Sequence, residues 1–166
     1  IVSDDIADFA KFCIGQLPDY FFTVPASSTG KYHPKYATGE GGLLRHTIAA
    51  TRIAMTLLRT KTFGDQFSDR QKDMIITALI IHDGAKKGVP EGKYTSTKHP
   101  ELVCEYLEDV HKEETHPDKP ILSDSGRNAV YSLVKSHMGQ WNYDRDGNAV
   151  LEKPLSDGQK FVHLCD

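Results

Sequence analysis

Residues 68–83, SDRQKDMIITALIIHD, constrain the fold more than any other stretch of this chain. Ser68 and Gln71 stand three positions apart ahead of an apolar run. That is the spacing of a capping box, in which the two side chains satisfy backbone N–H groups that the first turn of a helix leaves exposed. The spacing predicts a helix whose apolar run ends abruptly in His82 and Asp83. A buried helix end rarely carries a bare imidazole beside a carboxylate, because polar groups taken out of water need partners. The rest of the chain must bring partners to that pair.

Elsewhere the pattern is helical as well. SDDIADFAKFCIGQL, with Ser3 as N-cap, repeats Ile6, Phe9, Ala10 and Cys13 at helical spacing and is stopped by Pro18. Gly41 and Gly42 lead into the amphipathic LLRHTIAATRIAMTLLR, and further helices are expected at about 99–111, at about 123–137 and from SDGQKFVHLCD onward. A polar turn, read as a short hairpin, is expected around Asp146-Gly147. No repeat or linker divides the chain. The expectation is one all-α domain over 1–166: an N-terminal helix at about 3–17, a long loop at about 18–40 and a helical core at about 41–166, with the C-terminal end truncated.

Composition narrows the class. The formal net charge is −3, with 26% charged and 39% hydrophobic residues. This balance suits an ordinary globular protein and gives no global charge for coating a polyanion. No apolar stretch is long enough to span a bilayer and no signal peptide is visible. Cys13, Cys104 and Cys165 are widely separated, without CxxC spacing, and are read as reduced thiols of a cytoplasmic protein.

The partners for His82 and Asp83 can be picked out by position. His46 lies within an amphipathic helix, His99 opens a helix, His137 ends one in LVKSHMG, and Asp166 follows the apolar FVHLC. Four histidines and two carboxylates at inward-facing junctions are most economically satisfied by a metal, and imidazole with carboxylate suits divalent Zn, Mn, Fe, Co or Ni, with Mg as a further candidate.

The ordered set His46, His82-Asp83, His99, His137, Asp166 resembles the H…HD…H…H…D pattern of the HD-domain superfamily of metal-dependent phosphohydrolases. GGLLRHT, ALIIHDGAKKG and SHMG resemble the family's segments around its ligands, the second being similar to LLHDIGK and the third to SHHG. The likeness covers roughly residues 31–166. It is to small HD proteins of bacteria and their phages, and to the HD domain at the end of some bacterial 3′–5′ exoribonucleases. It implies a compact HD-domain helical bundle binding one or two divalent transition-metal ions. His46, His82, Asp83 and Asp166 would hold the first metal; His99 and His137, with Asp83 bridging, would hold the second. Several dinuclear relatives carry a second histidine where this chain has Met138, and a thioether is a poor ligand for a hard cation, which implies a weaker second site.

The implied chemistry is attack by a metal-activated hydroxide on a phosphate ester, with Asp83 and Lys86 as the catalytic pair and Lys86, aligned with the lysine of HDxGK, facing the substrate phosphate. Substrate contacts are expected from SSTGKYHPK, where Lys31, His33 and Lys35 could cradle phosphate, from Lys87, and from Trp141 stacking on a base. Arg45, beside His46, is a further candidate for phosphate. His111 and His116, in the acidic EDVHKEETHPDKP, are expected at the surface, and His163 is expected to support the ligands or to pack. The expected partner is a phosphorylated small molecule, a nucleotide first and a nucleic-acid end second, with no membrane; oligomeric state is unreadable. Two alternatives stand beside this reading: an HD-fold di-iron oxygenase, which shares the ligand order, and a non-enzymatic regulatory HD domain.

Overall fold

The computed structural model describes residues 1–27, 34–116, 118–144 and 146–166. The described residues form seven α-helices: α1 (Asp4–Gln16), α2 (Gly42–Leu57), α3 (Lys61–Gly64), α4 (Asp69–Ile81), α5 (His99–Glu114), α6 (Asp124–Lys135) and α7 (Asp157–Cys165). Short 3-10 turns occupy Asp19–Phe22, Lys35–Ala37 and Gly139–Trp141. The all-α expectation holds, and among the described residues no helix is long and apolar enough to cross a membrane.

α4 is the axis of the fold. Its capping box forms as spelled: Ser68 Oγ accepts from Gln71 N at 3.3 Å, and Gln71 Oε1 accepts from Ser68 N at 2.9 Å. Ile75, Ala78, Leu79 and Ile81 are all buried, each large side chain contributing about 1.5–3 kcal/mol by leaving water. α4 packs against α1, α2, α6 and α7, while α5 joins through α6 and α1. One core of Ile6, Phe9, Leu79, Val103, Leu107, Val130 and Phe161 runs through these contacts. All three cysteines are buried free thiols.

Ser3 precedes α1 as expected, but its side chain makes no capping bond. Asp73 of α4 does the work instead, accepting from the backbone N–H of Val2 at 3.0 Å and of Ser3 at 2.8 Å. A carboxylate from a neighbouring helix thus satisfies donors at the helix entry. The Asp146-Gly147 turn is present, with an antiparallel bridge between Tyr143 and Ala149.

The described part of the loop at 18–40 has a small core of its own, in which Leu17, Phe21, Ala26, Ala37 and Leu43 are buried together. Gly42 is needed there, since a Cβ on it would stand 2.2 Å from the Ala37 carbonyl oxygen. Arg45 closes the same loop. Its guanidinium donates to the carbonyls of Tyr36 at 2.6 Å, Glu40 at 2.8 Å and Thr38 at 2.9 Å. Arg45 is therefore a loop fastener.

Candidate metal centre

Helix ends put the chemistry in place. His82 caps the C-terminus of α4, with Asp83 next to it; His99 is the first residue of α5; His137 lies two residues beyond α6; Asp166 caps α7; and His46 projects from the buried side of α2. Helix ends that meet can bring side chains from distant parts of the chain to one point. These ends do meet. His82, Asp83 and His137 are wholly buried, with His99 at 1% and His46 at 6% exposure.

Three of the imidazoles are aimed by one local device. The Nδ1 of His82, His99 and His137 lies 2.7 Å from the carbonyl oxygen three residues earlier, on Leu79, Ser96 and Val134 respectively. A carbonyl only accepts, so each Nδ1 carries the proton and donates. In the neutral ring each Nε2 is then a bare lone pair, the form in which imidazole binds metal.

Those nitrogens converge in two groups that share one carboxylate. In the first, Asp166 Oδ1 lies 2.8 Å from His46 Nε2 and 3.0 Å from His82 Nε2, with Asp83 Oδ2 at 3.6 and 3.5 Å from the same two nitrogens. In the second, Asp83 Oδ1 lies 2.9 Å from His99 Nε2 and 3.6 Å from His137 Nε2. Asp83 thus turns a different oxygen to each histidine pair. Within each group the ligand atoms lie within 4.8 Å of one another. This buried His/Asp cluster could hold a metal ion, and its nitrogen and carboxylate donors suit a divalent cation of the first transition row.

Electrostatics bear on the same point. Burial alone would raise the Asp83 carboxyl, but the Lys86 ammonium and the charge on His82 hold it well below the usual range. Burial also works against Asp166, yet His82 and His46 keep it ionised. Burial opposes charge on His82, but Asp83 and Asp166 outweigh it and lift the imidazole to about 9. Burial and the Lys86 charge bring His99 down to about 4. Without metal, then, the cluster at neutral pH keeps a proton on His82 and has none on the Nε2 of His99.

Around this cluster the other candidate residues separate. Lys86, expected to face a substrate, is itself buried and places its Nζ 2.8 Å from both oxygens of Asp83. Lys87 pairs with Glu91 and stands 5.9 Å from the Tyr20 ring centre. Lys35 is exposed at the start of its 3-10 turn, and Trp141 is 61% exposed in the turn that follows His137. Lys31 and His33 lie outside the described residues. His116 is exposed, as expected.

His111 is a correction. It is buried against Phe9 and Phe12, with ring centres 6.2 and 5.7 Å away, because α5 turns its face of Val103, Leu107 and His111 toward the core. His163 supports His137: its Nδ1 donates to the His137 carbonyl at 2.8 Å. Gly139 makes room for that ring, since a Cβ there would stand 2.2 Å from it. One supporting residue escaped sequence reasoning altogether. Tyr20 accepts from Lys87 N at 3.2 Å and donates to the Gly88 carbonyl at 2.9 Å, fixing the turn after Asp83; nothing in the loop sequence PDYFF sets that tyrosine apart. Comparison with protein-family models, curated proteins and solved structures returns no match for this chain.

Proposed function

We propose that this protein is a metal-dependent phosphohydrolase of the HD type, acting on a phosphate ester of a nucleotide or of a nucleic-acid end. The observation that carries the proposal is the placement of Asp83, with Oδ2 toward His46 and His82 and Oδ1 toward His99 and His137. A carboxylate between two histidine pairs can serve both ions of a two-cation hydrolytic site. His46, His82, Asp83 and Asp166 would hold one ion, and Asp83, His99 and His137 the other.

Divalent cations supply Lewis acidity, which neutralises charge growing on a phosphate and makes water a nucleophile at neutral pH. The residues do the rest. Carbonyls of Leu79, Ser96 and Val134 fix three rings, so no reorientation accompanies the reaction. Burial of the four histidines and Asp83 excludes bulk water and strengthens each charge interaction. Lys35 is exposed at the start of its 3-10 turn and is free to meet an anion.

The test joins elemental analysis of the purified protein to a phosphate-release screen over an aryl phosphodiester and nucleoside mono- and triphosphates, with Mn, Co, Ni, Zn or Mg supplied. Bound divalent metal with phosphate release is expected. Absence of phosphate chemistry with every metal, alongside O₂ consumption with iron, would assign the site to oxygen chemistry instead.

A further inference from the structure

Lys86 lies 2.8 Å from Oδ1 and 2.8 Å from Oδ2 of Asp83. An ammonium equidistant from two carboxylate oxygens sits across the fork of the carboxylate, where a single chelating cation would also sit. Its side chain is only 10% exposed, and the turn that carries it is fixed: Lys86 N donates to the Asp83 carbonyl at 3.0 Å, and Ser96 N donates to the Lys86 carbonyl at 2.8 Å. The ammonium is therefore held in place rather than left to swing. With the fork taken, the remaining lone pairs of Asp83 are one per oxygen, and they face the two histidine pairs.

We infer that Lys86 is a positioning residue that denies Asp83 the chelating mode and so makes it bridge, one oxygen to each ion. This inference rests on the reading of the cluster as a metal centre. A carboxylate free of Lys86 can close both oxygens on the ion held with Asp166, which binds that ion more tightly and leaves the other group with two histidines and no carboxylate. Lys86 thus keeps the second site from losing its one carboxylate to the first. It also keeps the carboxylate from rotating between them. The role differs from a substrate contact, because it acts on uptake of metal before any substrate is present.

The experiment is Mn(II) titration of the full chain by calorimetry, with electron paramagnetic resonance of the same samples and circular dichroism to verify the fold. The wild-type protein should take two ions and show the exchange-coupled spectrum of a bridged pair. In Lys86→Met the first ion should bind about tenfold more tightly and the second about tenfold more weakly, the usual scale for losing a group that orients a ligand. The coupled spectrum should vanish at two equivalents. Lys86→Arg, whose planar fork can contact both oxygens, should keep the wild-type pair of affinities. No uptake by the wild type would overturn the metal-centre reading and the inference with it. Two coupled ions in the wild type with unchanged affinities in Lys86→Met would overturn the inference alone. So would a single ion in both proteins, or a Lys86→Arg protein that behaves as Lys86→Met.

Discussion

His99 Nε2 and Asp83 Oδ1 stand 2.9 Å apart without a proton between them at neutral pH. The Nδ1 proton of His99 is engaged by the Ser96 carbonyl, and burial keeps the ring from taking a second. On the other side, His137 Nε2 faces the same nitrogen at 3.2 Å, with its own proton committed to Val134. Three electron-rich atoms meet where a positive charge belongs.

Removing one of them tests that arrangement. His137→Ala should lower metal content from about two ions per chain to about one, as expected when a two-cation site loses a ligand of one ion. Elemental analysis after dialysis reads this directly. Unchanged content would place His137 outside the coordination sphere.

Asp83 is the ligand shared by both ions in the proposed site, and its loss should be the most damaging to turnover. Asp83→Asn should reduce kcat/KM by about a thousandfold or more, since a single electrostatic group already accounts for about 10²–10³ in rate. A thermal melt accompanies the kinetics, because the substitution leaves the buried Lys86 ammonium without its carboxylate. Folded protein with near-normal turnover would remove Asp83 from the chemistry.

Metal uptake should release a proton. His82 titrates near 9 in the metal-free protein, lifted by Asp83 and Asp166 against the opposing effect of burial, so at pH 7 a cation must displace its proton. Affinity should then rise about tenfold per pH unit from 7 toward 9 and level off above it. The linkage to stability has the opposite sign. A raised histidine pKa stabilises the metal-free fold fully below about 6.5, and that contribution is lost as pH rises through about 9. Calorimetry in buffers of different ionisation heat counts the proton; a count near zero at pH 7 contradicts the assignment.

His111 gives an acid-sensitive element away from the centre. Its ring is buried with Nε2 unpartnered, and burial, followed by the Arg127 charge, lowers its pKa. A histidine held neutral costs stability as pH falls below its unfolded value, about 6.5, toward its lowered folded value. His111→Leu should flatten the fall of Tm between pH 6.5 and 5 and should not lower Tm at pH 7.5. An unchanged slope would place the acid sensitivity elsewhere.

Much of this was legible in the chain, and the reasons differ by residue. The capping box of Ser68 and Gln71 is a contact between near neighbours, so spelling decides it. The convergence of His46, His82, Asp83, His99, His137 and Asp166 was readable because each sits on an inward helix face or at a helix end. What failed depended on packing. Ser3 was read as a cap, but Asp73, seventy residues away, supplies the acceptor. The charged neighbours of His111 point to the surface, although Val103, Leu107 and His111 recur at the four-residue spacing of one helix face. Lys61–Gly64 was not foreseen as a helix: four residues hold too little periodicity, and the Thr60 cap onto Phe63 N, at 3.4 Å, is its one local sign. Lys86 stands three positions after Asp83, a spacing that lets the two meet across one turn, yet its charge was assigned to substrate.

The acceptors that aim His82, His99 and His137 are main-chain oxygens, and no side-chain substitution can delete a main-chain oxygen. Where a carboxylate orients a ligand histidine, drift at one codon disarms the site. Here Leu79, Ser96 and Val134 can change identity and still hold the rings. Fragility moves from composition to length: one residue inserted or deleted within any of these four-residue spans would turn a ring away from the others. Natural variation at this centre should therefore be generous in substitutions and intolerant of gaps.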